Sequence, residues 1–245
     1  MKKEERSPLY SFNISAENAC FSDPITRVNG ERFSYPVPTY DGLRGICEAI
    51  IWKPTIDWVI TRVRVLKEIQ IETRSMLYTD LTGSKEKYDR GYCTYLRDVS
   101  YNVEAYFRWN PAREDLAEDR NMGKYNAMVT RAIKKGGRRT VFMGKNELGC
   151  YGAVTPIANI MDGAGFYDDM QAMPLGVMLH GQTYPENNDG ILSVRFWSPV
   201  MRNGIITFPT PEECPKELIR DIMPATFRKE YKKGVNTSGC DEEVD

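Results

Sequence analysis

Apolar residues recur at helical spacing in two stretches of the chain, and the first covers residues 39–51. Its apolar positions follow the i, i+3, i+4, i+7, i+8 pattern of an amphipathic helix that packs on a core. They are Leu43, Ile46, Cys47, Ile50 and Ile51. Thr39 can cap this helix, and Asp41 lies in its first turn, where an acidic side chain is favourable. Pro54 disfavours helical geometry in the residue before it, so the helix is predicted to end by Lys53.

The second helical stretch runs from about residue 122 to residue 135. The same spacing is found there at Tyr125, Met128, Val129, Ala132 and Ile133. Gly136 and Gly137 follow as a C-terminal stop. Lys134 and Lys135 lie in the last turn, where cations stabilise a helix.

Alternation of apolar and polar residues, the pattern of half-buried strands, surrounds these helices. It covers residues 62–65, 68–72 and, over the longest stretch, 98–109, where Pro111 ends it. A strand over residues 9–16 is expected before the first helix. The resulting order β-α-β-β-α-β predicts an α+β protein whose N-terminal domain, residues 1–145, has a ferredoxin-like (RRM-like) arrangement.

Beyond Gly149 the pattern changes to short apolar runs broken by Gly, Pro and Asn. This change predicts a smaller, β-rich C-terminal domain over residues 146–225. The last five residues, 241–245, carry four carboxylates and no periodic apolar pattern. Residues 226–245 are therefore expected to form a disordered acidic tail.

Composition places the chain among ordinary globular proteins. It has 245 residues, of which 41% are hydrophobic and 27% charged, which excludes wholesale disorder and fibrous repeats. No apolar run approaches the roughly 18 to 20 residues that cross a membrane. No apolar segment follows the charged N-terminus. We therefore expect a cytoplasmic protein without a membrane partner.

Cysteine and histidine are too few and too scattered to indicate a metal centre. The six cysteines include no CxxC pair and are interpreted as free thiols. His180 is the only histidine, so soft metal ligands are scarce. No cofactor is expected, although a carboxylate site for magnesium stays open.

A net charge of −1 conceals a strongly basic segment between residues 120 and 145, which has eight basic residues and no acidic one. They are Arg120, Lys124, Arg131, Lys134, Lys135, Arg138, Arg139 and Lys145. Clustered cations repel one another, and Gly136 and Gly137 would let a phosphate backbone approach the main chain closely. A merely solvated helix face is the alternative, but the pattern favours nucleic-acid phosphate as partner.

Aromatic residues could stack on unpaired bases, although core packing is the alternative for most of them. The candidates are Tyr35, Tyr40, Tyr92, Tyr95, Tyr106 and Tyr125. His180 is formally the best general acid or base, because the unperturbed pKa of histidine lies near neutrality. A lone histidine between an apolar run and a glycine is, however, more often structural.

Several strings of residues, taken in their order and spacing, resemble one known family. They are Phe21-Ser22-Asp23-Pro24, residues 34–39 through Gly45-Ile46 to Trp52-Lys53-Pro54, Asp119-Arg120-Asn121, Gly136-Gly137-Arg138-Arg139, residues 175–181 and residues 197–201. The chain resembles, from about residue 9 to residue 225, the subtype I-C (Dvulg) form of the CRISPR-associated Cas5 family, in the RAMP superfamily.

The resemblance implies an endoribonuclease that cuts precursor CRISPR RNA within its repeat and stays on the 5′ handle as a subunit of the Cascade complex. The cleavage it implies needs no metal, because the ribose 2′-hydroxyl attacks the adjacent phosphate. Expected partners are the repeat RNA, the handle and other type I-C Cascade subunits, and contact with target DNA stays open. The alternative is a non-catalytic subunit that only binds the handle.

The family associates a tyrosine, a lysine and a histidine with this chemistry, and only the lysine has a match here, Lys124. Ile51 stands at the tyrosine position and Tyr125 at the histidine position, which favours the non-catalytic alternative. If the chain cuts RNA, we expect Lys124 to be the electrostatic catalyst and Tyr125 to orient the 2′-hydroxyl or replace the missing acid. A weaker possibility is that Tyr35, Tyr40 or His180 has taken over. Expected RNA-binding residues are Arg44, Arg120, Arg131, Lys134, Lys135, Arg138, Arg139 and Lys145.

Overall fold

The computed structural model describes residues 5–24, 26, 32–79, 88–145, 148–184 and 191–222. The expected acidic tail, 226–245, lies outside the described residues. Within them the chain forms two α-helices, α1 (Tyr40–Ile50) and α2 (Met122–Lys135), and short 3₁₀ helices that include Glu114–Asp119. The strands are β1 (Tyr10–Ala19), β2 (Ile56–Val65), β3 (Gln70–Thr79), β4 (Tyr88–Trp109), β5 (Val141–Phe142), β6 (Tyr151–Pro156), β7 (Met173–Pro174), β8 (Met178–Thr183), β9 (Ser193–Trp197), β10 (Val200–Met201), β11 (Ile205–Thr207) and β12 (Ile219–Asp221). The predicted mixed α and β fold class, with mostly strands, is confirmed.

One large antiparallel sheet carries the fold, with the strand order β11-β2-β4-β1-β6-β5. β4 lies between β1 and β2, and α1 and α2 connect β1 to β2 and β4 to β6. The elements β1, α1, β2, β4, α2 and β6 follow the predicted order β-α-β-β-α-β, with β3 and the short β5 between them. The ferredoxin-like arrangement stays a prediction. β3 pairs with residues 88–97 of β4, so β4 begins ten residues before the predicted strand start at residue 98.

The two helices have the predicted boundaries because local cap chemistry fixes them. The Thr39 hydroxyl accepts the Gly42 N–H at 3.1 Å, and the Asn121 side chain accepts the Lys124 N–H at 3.0 Å. α2 ends at Gly136, which has a left-handed φ of 85°, a conformation that glycine adopts without steric cost. The buried stripes of both helices pack into the core with the sheet.

The loop after α2 is fixed to the end of α1. The Arg138 N–H donates to the Ile50 carbonyl at 3.0 Å, and the Arg139 N–H donates to the Ala49 carbonyl at 3.1 Å. Both arginine side chains remain exposed. The main chain of this basic loop is therefore held in place while its charged groups face solvent.

A buried ion pair attaches a C-terminal segment to the sheet. Arg64 is 2% exposed and donates to Asp168 at 2.7 Å. On the neighbouring strand β4, Asn102 donates to the carbonyls of Ile160 and Asp162. Asn102 alternates with the core residue Val103, so it lies on the opposite face of the sheet. The segment around residues 160–168 covers part of that face.

The proposed domain boundary at residues 145 and 146 stays a prediction, but hydrogen bonds of the main sheet cross it. β6 pairs with β1, and β11 pairs with β2. The described part beyond residue 150 is β-rich, as predicted. Among the described residues no helix is long and apolar enough to cross a membrane.

The described cysteines are buried free thiols, as expected: Cys20, Cys47, Cys93, Cys150 and Cys214. Cys240 lies outside the described residues.

Candidate functional site

The start of α2 brings a lysine, a tyrosine and a carboxylate together. The chain leaves β4 at Trp109, passes through the 3₁₀ helix Glu114–Asp119 and enters α2. Lys124 Nζ lies 2.7 Å from Asp119 Oδ1, and the Tyr125 hydroxyl donates to Asp119 Oδ2. Thr55 Oγ1 is 3.5 Å from the same carboxylate oxygen. Asp119 is therefore the shared partner of both predicted catalytic residues.

Lys124 is available to a ligand in this arrangement. Its side chain is 54% exposed, and its ammonium lies 5.8 Å from the centre of the Tyr125 ring. The hydrogen bond and the charge of Asp119 raise the pKa of Lys124. In turn, Lys124 and then Tyr125 lower the pKa of Asp119. At neutral pH the site thus holds a cation beside an ionised carboxylate.

Tyr125 has a different environment from its neighbour. Its ring is 1% exposed and packs edge-on against Trp109, with ring centres 5.4 Å apart. Burial, followed by the hydrogen bond to Asp119, raises the pKa of Tyr125. The hydroxyl therefore stays protonated and already has an acceptor, and the expectation that this ring stacks on a base is wrong.

Of the other tyrosine candidates, Tyr35, Tyr40 and Tyr95 are also buried. Tyr92 is among the exposed aromatic residues.

Ile51 and His180 supply no acid or base to this site. The Ile51 side chain is buried in the core. His180 is also buried and stacks on Tyr40, with ring centres 4.2 Å apart. His180 Nε2 lies 2.9 Å from the Pro209 carbonyl oxygen. Burial lowers the pKa of His180 to about 4, so its proposed acid-base role is wrong and the structural interpretation fits.

Six of the predicted RNA-binding or catalytic cations are exposed on α2 and on the loop that follows it, and we call this set the basic face. It comprises Lys124, Arg131, Lys134, Lys135, Arg138 and Arg139. Lys124, Arg131 and Lys135 are spaced by seven and four residues, which places them in one stripe along the helix. At 1.5 Å per residue, α2 extends this face over about 20 Å.

The other predicted RNA-binding residues are engaged elsewhere. Arg120 donates to the carbonyls of Asn110 and Arg113, each at 3.2 Å, and so holds the turn after β4. Arg44 lies 2.8 Å from Asp41 and 3.8 Å from Glu48 on α1.

Lys145 is half-buried after β5, in a groove beside Gly42 and Ala49 of α1.

Asp119 is the site residue that sequence reasoning missed. It belongs to the string Asp119-Arg120-Asn121 that carried the family resemblance, but it was given no role. An acidic residue two positions before the cap of a basic helix was the available signal, because a carboxylate there can reach the first turn.

His180 is expected to titrate far below neutrality. Because its pKa is about 4 in the folded chain and near 6.5 when unfolded, protonation favours the unfolded state. Its stabilising contribution is complete above about pH 6.5 and is lost as the pH falls towards 4, amounting to about 3 kcal/mol. NMR can follow the single histidine ring, with the urea-unfolded protein as control. A native midpoint near 6.5 would contradict the buried placement.

Residues 9–209 match the family profile Cas5d, described as CRISPR-associated protein (Cas5). A relative from Mannheimia succiniciproducens, named CRISPR pre-crRNA endoribonuclease Cas5d, is 29% identical over 219 residues, covering 80% of this chain and 93% of the relative. A Thermus thermophilus protein of the same name is 32% identical over 184 residues, covering 71% and 73%.

A solved structure of a CRISPR-associated protein is 34% identical and covers 89% of this chain and 99% of that chain, with a TM-score of 0.73. The resemblance found in the sequence is therefore confirmed over most of the chain. The protein belongs to the Cas5d family of CRISPR-associated proteins.

Proposed function

We propose that the protein binds the repeat of precursor CRISPR RNA along the basic face, cuts it beside Lys124 and retains the 5′ handle as a subunit of a type I-C Cascade complex. Two curated relatives named pre-crRNA endoribonucleases support this proposal. The observation that carries it is the exposed, Asp119-held Lys124 at the head of the stripe that continues through Arg131 and Lys135.

In the proposed reaction the ribose 2′-oxygen attacks the adjacent phosphorus, and the bond to the 5′-oxygen breaks. The leaving 5′-oxygen takes up a proton from water, so the products are a cyclic phosphate and a free 5′-hydroxyl. Negative charge builds up on the non-bridging oxygens, where the Lys124 ammonium can donate hydrogen bonds. This protein cation supplies the charge stabilisation, so the proposed mechanism routes no step through a metal.

The proton of the 2′-hydroxyl needs an acceptor, and Tyr125 is unsuited because its hydroxyl is protonated and donates to Asp119. Asp119 is ionised and partly exposed beside Lys124. It is the described group of this site that can accept the proton, although its lowered pKa makes it a weak base. The proposal therefore includes slow cleavage, which suits an enzyme that keeps its product.

A second candidate function is handle binding without cleavage. The specific observation in its favour is that the groups at the family's tyrosine and histidine positions, Ile51 and Tyr125, are both buried. His180 is buried as well. In the described part of the chain, Lys124 thus has no neighbouring side chain that titrates near neutrality.

Cleavage of the chain's own repeat RNA in EDTA separates the two candidates. We expect one cut in the natural RNA and none in a copy with a 2′-deoxy nucleotide at that position. Lys124→Ala should slow cleavage at least about 100-fold at saturating protein, because it removes the charge that stabilises the transition state. Lys67→Ala is the matched control, since Lys67 also pairs with an aspartate, Asp98, at an exposed position.

A wild-type rate for Lys124→Ala would contradict the assignment of the catalyst. Tight binding of the natural RNA without any cut, by protein shown to be folded, would favour the handle-binding function.

Asp119→Asn should separate binding from chemistry. The substitution removes a negative charge beside the proposed phosphate position, so we expect RNA affinity to stay the same or rise. Cleavage should slow about tenfold or more, because Lys124 loses its ion-pair partner and the site loses its proton acceptor. Single-turnover rates and anisotropy titrations measure the two effects separately. Loss of affinity and rate together would instead indicate that Asp119 only maintains the fold.

Charge reversal of Arg138 and Arg139 should lower the affinity for repeat RNA. It should also make that affinity less dependent on salt concentration. Each phosphate contact with a single strand contributes about 0.7 to the slope of log affinity against log salt. The double variant removes two such contacts and should lower this slope by about 1.4 units. Arg202→Glu, at an exposed arginine between β10 and β11, is the control. If the affinity for repeat RNA changes neither with salt concentration nor in the double variant, the basic face is excluded as the RNA site.

A further inference from the structure

A second concave site lies beside the candidate active site. It is a cleft of about 660 Å³ between α1, the C-terminal end of β4 and the β8–β9 hairpin. Its volume is within the range of small-molecule pockets, about 300 to 1,000 Å³. The wall includes Arg195 of β9, Arg44 of α1 and Asn110 after β4, and Tyr184 lies at its rim.

The ion pairs of the cleft leave one cation without an acidic partner. Arg108 lies 2.8 Å from Glu212 and 3.4 Å from Asp57, while Arg44 pairs on its own helix. Arg195 is 4% exposed and donates to the Thr183 hydroxyl. Among the described residues it forms no ion pair with a carboxylate, and its Nε has no hydrogen-bond partner.

A buried guanidinium without a counter-charge is costly, and it cannot relieve that cost by releasing its proton. The cleft therefore has room and charge for one anionic group. A phosphodiester carries one negative charge and presents two oxygens that suit the planar arginine fork. Asp57 and Glu212 are both occupied by Arg108. Asp41 is another carboxylate near Arg195, and it pairs with Arg44 at 2.8 Å.

The remaining lining suits the rest of a nucleotide. Tyr184 is 46% exposed at the rim, where its ring can stack on a base. The Gln182 side chain offers both donors and an acceptor to a base edge. Unpaired RNA bases are recognised by this combination of stacking and edge contacts.

The cleft and the Lys124 site share a wall. The Asn110 N–H donates to the Thr55 carbonyl at 2.9 Å, and Thr55 Oγ1 contacts Asp119. The Asn110 carbonyl also accepts a hydrogen bond from Arg120. An RNA strand whose phosphate lies at Lys124 could therefore place a neighbouring nucleotide in the cleft by passing over the turn that begins at Asn110.

We propose that this cleft binds one unpaired nucleotide of the repeat RNA, with its phosphodiester at Arg195 and its base against Tyr184. The inference rests on the proposed function, because it takes repeat RNA as the ligand. It adds a subsite that is separate from the basic face.

The test is an anisotropy titration of the labelled repeat RNA in EDTA over a range of salt concentrations. Arg195→Gln should raise Kd about tenfold and lower the salt slope by about 0.7, the value for one phosphate contact. Tyr184→Ala should raise Kd at least about fivefold through lost stacking and leave the salt slope unchanged. Arg220→Gln is the matched control and should bind like wild type. Arg220 is exposed on β12 opposite Val194, so it points to the other face of that sheet from Arg195.

Wild-type affinity and salt slope in a folded Arg195→Gln variant, with wild-type affinity for Tyr184→Ala, would overturn the cleft. If Arg195→Gln does not fold, the exposed Tyr184→Ala decides, and an unchanged Kd overturns the proposal. If both variants raise Kd as expected but the wild-type protein does not cut the RNA, the proposed nucleotide site is supported and the proposed nuclease activity is contradicted. An RNA that is cut normally by both variants with unchanged Kd counts against the cleft alone.

Discussion

The rest of the structure depends on β4, because its 22 residues pair with three other strands. Over residues 99–105 it has β1 on one edge and, towards its C-terminal end, β2 on the other. A one-residue shift would move every buried side chain of this strand to the opposite face of the sheet, so its register is strongly fixed. The fixed register of β4 therefore also fixes the position at which the turn after Trp109 begins. The bonds from Asn110 to Thr55 and Arg120 then set where α2 begins.

The position of α2 gives the adjacent residues Lys124 and Tyr125 different roles. Successive side chains of an α-helix point about 100° apart, so Lys124 faces solvent while Tyr125 enters the core. Asp119 contacts both, because it precedes the helix and reaches its first turn from outside. A residue at position 125 can thus support Lys124 through the carboxylate without touching RNA. This geometry makes the identity of position 125 less decisive for phosphate binding than for proton transfer.

Both helices, the Thr39 cap of α1 and the glycine stop of α2 were predicted correctly, because spacing and cap chemistry are local properties of the sequence. The Asn121 cap of α2 was not predicted. The full length of β3 and the start of β4 were not predicted. β3 is largely exposed and carries polar residues such as Glu72, Thr73 and Arg74, so it lacks a long apolar alternation. The entry of β6 and β11 into the main sheet depends on contacts between distant residues. Burial of Tyr125 depends on tertiary packing in the same way. The ion pairs of Arg44 with Asp41 and Glu48 are local to α1, and the exposed stripe on α2 likewise follows from helical periodicity.

Arg64, His180 and Arg195 are all buried polar side chains, but only the first two have their burial compensated within the described chain. Arg64 is neutralised by Asp168 and contacts main-chain carbonyls as well. His180 avoids the cost of burial by remaining uncharged, as its lowered pKa indicates. Neither solution serves Arg195, which forms no ion pair among the described residues and contacts the Thr183 hydroxyl and the Cys214 thiol. Because leaving a buried charge uncompensated is strongly destabilising, the arrangement supports the proposal that an anion binds in this cleft, and the backbone of the proposed repeat RNA would supply that anion.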